Sequence, residues 1–325
     1  PLATNFIRNY LDNSRQFVKI GDQESDMWSH SVGTGQGHVL SPPIYNIGTT
    51  SQYYWTQSLS TLYGYADDGG DVISASSKAE CNRKIREVMA ARLKWYSLSG
   101  MAINISKTTL MGVGFQPDPL VIDNTVIEPV SSLTFLGMTL QSNFSLDIHV
   151  KSVCTKIRQA AANIRVEGRN FCTSDRKLLY MGWVQGVLCS NGPAYLPLLT
   201  LDQLDSLQTA CNSAIRSVAN LPRKSVDISI SSVRQTLKIQ SVSALANKLI
   251  TMHAWKNRKI LMPKETAGPN TRSRSRGNIP QPIQKGVLGK MISTLAKCAF
   301  NRIPLHIKLE DNANVAKRFI SKMFI

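Results

Sequence analysis

The feature that most constrains the fold is a pair of adjacent acids, Asp67-Asp68, followed at once by Gly69-Gly70. Strand-forming residues stand on both sides, Leu62 to Tyr65 before the pair and Val72-Ile73 after it. Such an acid–glycine turn is typical of a β-hairpin, because glycine accepts positive φ and aspartate bonds its own backbone. The sequence therefore predicts that both carboxylates lie at the tip of a hairpin.

Two interpretations of the acid pair stay open on these residues alone. Adjacent carboxylates repel each other, and a divalent cation such as Mg²⁺ relieves that repulsion because carboxylate oxygens are its natural ligands. A pair of such ions can drive phosphoryl chemistry. The other interpretation is that Asp-Asp-Gly-Gly is simply favourable turn chemistry with no ligand.

Three further segments stand in order around this hairpin, all within about 110 residues. The glycine-rich loop Gly33–Pro42 precedes it, and Gly100–Thr108 and Leu133–Leu140 follow it. Together the four segments resemble non-LTR retrotransposon (LINE-type) reverse transcriptases. That family has a glutamine loop, a Tyr/Phe-Ala-Asp-Asp hairpin, a Gly-x-x-x-Asn-x-x-Lys-Thr segment and a Phe/Tyr-Leu-Gly turn. Each motif alone is weak, whereas the ordered set is specific, and the resemblance extends over about residues 5–260.

The resemblance implies an α+β fold, in which a polymerase palm with helices on an antiparallel sheet is followed by an all-helical thumb. We expect a partial fingers/palm domain over residues 1–143, a helical thumb over 144–254 and a basic C-terminal extension over 255–325. Helical recurrence of apolar residues agrees with this division. It predicts helices over Lys78–Leu98, Val150–Ile164, Asp175–Val187, Leu201–Leu221 and Ser231–Ala254.

Alternating apolar and polar residues predict the strands of the first domain. Gln16–Ile20 and Met27–Val32 can pair across Gly21-Asp22-Gln23. Ile103–Ile105 is interpreted as a further strand.

The chemistry implied by the resemblance is that of an RNA-directed DNA polymerase, which joins deoxynucleoside triphosphates to a DNA primer on an RNA template. Two Mg²⁺ ions are the implied cofactors, and Mn²⁺ is an alternative. On this match Asp67 coordinates metal, and Asp68 is a secondary ligand or holds the geometry. Lys107 matches a lysine that helps protonate the leaving pyrophosphate, although a lone surface lysine would explain it equally well.

The same match implies residues that bind substrate and primer. Gln36 and Gly37 would contact nucleotide and template, Tyr65 would pack beside the primer end, and Phe135-Leu136-Gly137 would grip the primer terminus. Each of these roles has a structural alternative. Gln36 and Gly37 can belong to a loop that only leads into a helix, Tyr65 can be an ordinary strand tyrosine, and Phe135-Leu136-Gly137 can be core residues at a bend. His149 matches a histidine common in the family, and no catalytic role is assigned to it.

The chain also departs from the family pattern. Gly35 stands where the family usually has proline, and His38 where it usually has a small residue. A further catalytic aspartate at the end of an apolar strand is missing before the loop, where Asp12, Asp22 and Asp26 sit in turn-like contexts. We therefore interpret the chain as an N-terminally truncated fragment that is inactive or weakly active alone.

The net charge of +17 is very unevenly distributed along the chain. Residues 1–145 have 10 Lys or Arg and 12 Asp or Glu, a net of −2, whereas residues 146–325 have 28 and 9, a net of +19. This asymmetry favours a polyanion partner for the second part of the chain, and nucleic acid is the partner we expect. Two alternatives would also explain the positive charge: a lysine-rich solvated surface, and a surface that contacts a membrane. Arg272, Arg274 and Arg276 are the expected contacts to the nucleic-acid backbone, in a run that equally suits a solvated linker.

Other sequence features narrow the class of protein. Six scattered cysteines with no Cys-x-x-Cys pair predict neither a zinc site nor a disulfide framework. No apolar run reaches the roughly 18 residues that span a membrane, and no signal peptide is visible. We expect an intracellular location, in nucleus or cytoplasm, with no membrane contact; protein partners are not indicated. The alternatives are a non-catalytic nucleic-acid-binding relic or co-opted fragment, and a related polymerase such as a group II intron maturase or telomerase.

Overall fold

The computed structural model describes residues 2–12, 15–29, 33–35, 37–222, 228–258 and 292–324. The chain forms two compact units, Pro1–Leu136 and Gly137–Ile325. The described residues form helices and small sheets, which agrees with the expected α+β class. The functional division into palm, thumb and basic extension, with its boundaries at residues 143 and 254, stays a prediction.

The first unit alternates helices with β-hairpins. Its helices are α1 (Leu2–Asp12), α2 (Ser41–Thr49), α3 (Ser51–Thr56) and α4 (Lys78–Leu98), with one 3₁₀ turn at Ile105–Lys107. Its strands are β1 (Arg15–Gln16), β2 (Lys19–Ile20), β3 (Gln23–Glu24), β4 (Trp28–Ser29), β5 (Thr61–Tyr65), β6 (Asp68–Val72), β7 (Leu120–Ile122), β8 (Thr125–Ile127) and β9 (Ser132–Phe135).

Every sheet among the described residues has two strands, so the continuous antiparallel sheet expected of a palm is not formed there. The strands pair with near neighbours in sequence because tight turns join them. In the first hairpin Ile20 lies opposite Gln23 and Gln16 opposite Trp28, with the turn at Gly21 (φ 62°). The pairing of Gln16 with Trp28 agrees with the predicted hairpin. Gln23 belongs to β3 and not to the turn, and residues 30–32 of the predicted second strand lie outside the described residues. The predicted strand at Ile103–Ile105 is wrong, because Ile105 begins the 3₁₀ turn.

Helix α4 packs against the hairpin β7–β8 to form the core of the first unit. It begins where the Ser77 hydroxyl accepts a hydrogen bond from the Glu80 N–H, and it ends before Gly100 at φ 67°. Its bounds agree with the predicted helix. Apolar α4 residues at helical spacing contact three buried strand residues: Ile85, Met89 and Leu93 pack with Leu120, Ile122 and Ile127.

The second unit is almost entirely helical. Its elements are β10 (Met138–Gln141), α5 (Asp147–Glu167), a 3₁₀ turn (Gly168–Asn170), α6 (Thr173–Leu179), a π-helical segment (Tyr180–Gln185), α7 (Gly186–Cys189), α8 (Gly192–Tyr195), a 3₁₀ turn (Leu196–Leu198), α9 (Leu201–Val218), α10 (Ile230–Thr236), α11 (Val242–Lys256), and three further helices at Ile292–Asn301, Leu305–Lys308 and Ala313–Lys322. None of the described helices is both long and apolar enough to span a membrane.

Helices α5 and α9 form the centre of the second unit. The α5 residues Ile157 and Ile164 and the α9 residues Leu207 and Ile215 are fully buried in one cluster. Helix α9 begins with a capping box, in which the Thr200 hydroxyl accepts the Gln203 N–H and the Gln203 side chain accepts the Thr200 N–H. The predicted helix over Leu201–Leu221 is therefore confirmed to within three residues.

The helix predicted over Ser231–Ala254 is instead two helices, α10 and α11. Lys238 adopts a left-handed backbone (φ 52°), which a continuous helix does not allow. The Ser241 hydroxyl then accepts the Ala244 N–H and begins a new helix. Apolar periodicity runs through this break, which is why the sequence pattern missed it.

His149 joins β10, α5 and α8 within the second unit. The Thr139 N–H donates to its Nδ1 at 3.3 Å, and its ring lies edge-on to that of Tyr195, with centroids 4.7 Å apart. The ring is buried, and its Nε2 has no hydrogen-bond partner among the described residues. Burial, with a smaller contribution from Lys156, lowers the pKa of His149, so the folded unit holds the neutral ring. These contacts support a structural role.

The lowered pKa of His149 predicts acid sensitivity of the second unit. The unfolded chain takes up this proton as pH falls through about 6.5, before the folded ring does, so stability is full above that pH and declines below it. Urea denaturation of the full chain between pH 8 and 5 should show this decline. His149→Gln should reduce it, whereas His306→Gln, at an exposed position, should leave it in place. An unchanged pH profile in His149→Gln would contradict this assignment.

Candidate active site

The hairpin β5–β6 places the acid pair at its tip. Tyr65 lies opposite Asp68 and Gly64 opposite Gly69, so the turn consists of Ala66 and Asp67. Ala66 has φ 51°, a left-handed conformation that closes this two-residue connection. The placement agrees with the expectation from sequence, while the catalytic roles of the two aspartates stay predictions.

Both carboxylates of the pair are available for a ligand. Asp67 and Asp68 are exposed, and neither forms an ion pair in the part of the chain that the structure describes. Burial, with smaller contributions from Tyr96 and the charge on Asp67, raises the pKa of Tyr45 in α2. The tip therefore presents two carboxylates without an ion-pair partner among the described residues.

A third acid of the hairpin, Asp71, is bound to a buried arginine. Arg92 of α4 donates from Nε to Asp71 Oδ2 at 3.0 Å and from Nη2 to Oδ1 at 2.8 Å. The side chain of Arg92 is 4% exposed and that of Asp71 21% exposed. This bidentate pair fixes both the position and the orientation of β6 against α4. Asp71 is thereby used for structure, in contrast to Asp67 and Asp68.

The remaining donors of Arg92 hold α3 in the same network. Nη1 donates to the Gln52 carbonyl and Nη2 to Thr56 Oγ1, each at 2.7 Å. The Ser60 hydroxyl donates to Asp71 Oδ1 at 2.6 Å, and Trp95 Nε1 donates to Ser51 Oγ at 3.0 Å. Helices α3 and α4 are thus tied to the base of the hairpin that presents the acid pair.

The sequence interpretation missed this network, although one signal was available. Arg92 is four residues after Val88 and three residues before Trp95, both of which are buried. The helical period therefore places Arg92 on the buried side of α4. A charged residue on a buried stripe needs a paired partner, because burying an unpaired charge is costly. Asp71 is that partner, 21 residues earlier in the chain.

Phe135, predicted from sequence to grip the primer, also lies at the hairpin. A Cβ atom built on Gly70 would lie 3.5 Å from the Phe135 ring, which is ordinary van der Waals contact, so the ring packs against the middle of β6. Leu136 has φ 49° and is 42% exposed, and Gly137, at φ 77°, begins the second unit.

Gly35 and His38 of the glycine-rich loop, the two residues that depart from the pattern of the resembling family, lie next to each other. A Cβ on Gly35 would lie 3.1 Å from the His38 ring, and Tyr10 of α1 bonds His38 Nδ1 at 2.5 Å. A larger residue at 35 would crowd this ring, so the glycine and the histidine accommodate each other. The Ser41 hydroxyl also donates to the Gly35 carbonyl and ties the loop to α2. Gly37 is exposed at φ 81°, which favours glycine there.

The other predicted site residues are not brought to the hairpin by any described contact. Lys107 is exposed at the end of the 3₁₀ turn. Gln36, Arg272, Arg274 and Arg276 lie outside the described residues. The site that the structure assembles therefore consists of the acid pair, Tyr65 and Phe135.

The donor set of the tip fits a magnesium ion that also binds substrate. Mg²⁺ keeps several waters and is commonly bound by one or two carboxylates together with substrate phosphates. The described residues contain no group of three His, Cys, Asp or Glu side chains that could hold a metal ion by themselves. Asp67 and Asp68 would thus form a metal site completed by other oxygen ligands.

Comparison with known proteins supports a relationship to reverse transcriptases. Over 170 residues the chain is 23% identical to a probable RNA-directed DNA polymerase from transposon BS of Drosophila melanogaster. The matched region is 49% of this chain and 19% of the fly protein. No protein-family model matches the chain, and no solved structure matches it. The similarity is distant, so it supports the relationship without defining the type of element.

Removing the negative charge of Asp71 should destabilise the first unit. In Asp71→Asn the buried Arg92 loses its counter-charge, and we expect the free energy of unfolding to fall by about 3 kcal/mol. Hydrogen–deuterium exchange of the α4 and β5–β6 amides measures this locally. The matched change Asp68→Asn, on the same strand, should alter stability by no more than about 0.5 kcal/mol. Equal losses in the two variants would contradict the division of roles between these acids.

Proposed function

We propose that this chain is part of a retrotransposon reverse transcriptase of the non-LTR type and that its acid pair takes part in nucleotidyl transfer. The observation behind the proposal is the contrast within one hairpin: Asp71 is neutralised by Arg92, while Asp67 and Asp68 are exposed and unpaired. The ordered motifs and the distant similarity to a transposon polymerase support the same conclusion.

In the proposed reaction the primer 3′-hydroxyl attacks the α-phosphorus of a deoxynucleoside triphosphate, and pyrophosphate leaves. Mg²⁺ bound at the pair would supply Lewis-acid stabilisation of the charge that develops on the phosphoryl oxygens. Asp67 and Asp68 would hold it with carboxylate oxygens. The buried network at Arg92 binds Asp71 on the same hairpin and so fixes β6, the strand that carries Asp68, against α4.

The groups around the tip would orient the nucleic acid. Tyr65 is 69% exposed next to the acids, so its ring is available to a sugar or base at the primer end. Phe135 packs over Gly70 and supports the same strand. Gly37 has no side chain, so a nucleotide can approach the loop backbone closely. Lys107 is proposed to protonate the pyrophosphate, which requires it to approach the tip when substrate is bound.

A second candidate function is nucleic-acid binding without polymerisation. The net charge of +19 on residues 146–325 favours it, because phosphate neutralisation needs no metal site. The described residues supply only two unpaired carboxylates at the tip, with no third ligand beside them. Binding would then survive in a chain that synthesises little DNA.

Primer extension separates the two functions. With an RNA template, a DNA primer, deoxynucleoside triphosphates and Mg²⁺ or Mn²⁺, we expect weak extension or none by the 325-residue chain. Asp67→Ala should reduce the residual rate at least about tenfold, because it removes a metal ligand. Asp123→Ala is the matched control, since Asp123 is an exposed aspartate in the turn of another hairpin, β7–β8.

Extension that Asp67→Ala leaves unchanged would contradict the assigned role of the pair. RNA binding without synthesis would be compatible with both functions, and metal binding at the acid pair, lost in Asp67→Asn with Asp68→Asn, would then separate them. Robust synthesis would show that the two carboxylates of this chain suffice, contrary to our expectation.

A further inference from the structure

One face of the β5–β6 hairpin is exposed and has two tyrosines on it. Side chains alternate between the two faces of a strand, so Tyr63 and Tyr65 share one face, and their cross-strand partners Gly70 and Asp68 lie on it with them. Tyr63 is 56% exposed and Tyr65 69% exposed. We call the face formed by these four residues the tyrosine face. Asp71 lies on the opposite face, which its bond to the buried arginine holds against α4.

The cross-strand partners of the two tyrosines are small, so β6 does not cover the rings. A glycine lies opposite Tyr63, and an aspartate lies opposite Tyr65. The Phe135 ring packs against Gly70 and therefore borders the tyrosine face beside Tyr63. In the part of the chain that the structure describes, neither tyrosine contacts another aromatic ring. Both rings are thus open to a planar group from outside the chain.

The spacing of the two tyrosines suits stacked bases. Residues two apart on an antiparallel strand are separated by roughly 6.8 Å, and their side chains stand roughly perpendicular to the sheet. This separation is about twice the ~3.4 Å that one nucleotide occupies along a strand of stacked bases. One base therefore fits between the two side chains, and a neighbouring base can stack on the outer side of either ring.

The charge beside the tyrosine face favours a base over a phosphate as the group that lies on it. Asp68 belongs to this face and Asp67 adjoins it, and both are exposed. Carboxylates repel a phosphate group unless a cation lies between them, whereas a nucleobase is uncharged. Aromatic side chains bind any nucleobase by stacking, because every base has a π-face.

We propose that the tyrosine face binds single-stranded nucleic acid by stacking unpaired bases on Tyr63 and Tyr65. A single strand is the fitting partner because its bases can be splayed out onto aromatic side chains, whereas bases in a duplex are stacked on one another. Tyr63 is not among the site residues predicted from sequence, and its role extends the binding surface from the acid pair along β5. The choice of nucleic acid as the partner rests on the proposed function, whereas the open stacking surface rests on the hairpin geometry.

The test measures how much the bases of a short single-stranded DNA contribute to binding by the full chain. Two fluorescent probes have equal numbers of phosphates: one has thymine throughout, and the other has stable abasic sites at its central positions. The wild type should bind the thymine probe at least about fivefold more tightly. Tyr63→Leu with Tyr65→Leu should bring this ratio close to one, and Tyr63→Leu alone should give an intermediate ratio. Tyr63→Phe should retain the wild-type ratio, because the ring remains.

A salt titration separates stacking from charge. Stacking releases no counterions, so the log–log salt slope for the thymine probe should be the same in the wild type and in Tyr63→Leu with Tyr65→Leu. The matched control is Tyr53→Leu with Tyr54→Leu, which removes two exposed tyrosines of another element, α3. This control should keep the wild-type ratio of affinities.

Three results would overturn the proposal in distinguishable ways. A wild-type ratio near one, or equal reductions in the two double variants, would remove the tyrosine face as a stacking site and leave the proposed function standing. No binding of either probe by the wild type at low salt would overturn the nucleic-acid assignment together with the proposed function. Self-association of the wild type that only Tyr63→Leu with Tyr65→Leu abolishes, without a preference for the thymine probe, would assign the face to a second copy of the chain.

Discussion

The buried pair of Arg92 and Asp71 is the interaction on which the proposed site depends. A guanidinium that is 4% exposed is stable only with its charge and donors satisfied, and Asp71, Gln52 and Thr56 together satisfy them. These contacts bring β6, α3 and α4 to one point. Asp68 and Asp67 lie three and four residues from Asp71 on the same hairpin, so the contacts of Asp71 fix the strand that leads to the acid pair.

The local parts of this arrangement were predictable from sequence. Asp-Asp-Gly-Gly between strand-forming segments gives the hairpin, and Ser77 and Gly100 mark the two ends of α4. The features that escaped prediction depend on contacts between distant residues or on single backbone conformations. The pattern of α4 shows that Arg92 faces inward, but not which acid it meets. The left-handed conformation of Lys238 divides α10 from α11 although the apolar pattern continues.

The two units differ in net charge. The first presents the exposed carboxylates of Asp67 and Asp68 at the tip of the β5–β6 hairpin, which is where the proposed function puts the cation and the nucleotide. The second has the large positive excess, a net charge of +19 over residues 146–325. The distant similarity to a transposon polymerase supports a relationship to reverse transcriptases. His149, which matches a histidine of the resembling family, contacts β10 and α8 from α5 inside the second unit.

Paramagnetic broadening by Mn²⁺ tests most directly whether the acid pair is a metal site. In the full chain labelled with ¹⁵N-glycine, substoichiometric Mn²⁺ in the presence of a deoxynucleoside triphosphate should broaden the Gly69 and Gly70 amide signals first. Asp67→Asn with Asp68→Asn should abolish this broadening. Gly21, which adjoins Asp22 in another exposed turn, should stay sharp in both proteins. Broadening of Gly21 before the hairpin glycines, or hairpin broadening that persists in the double variant, would contradict the assignment of the metal to Asp67 and Asp68.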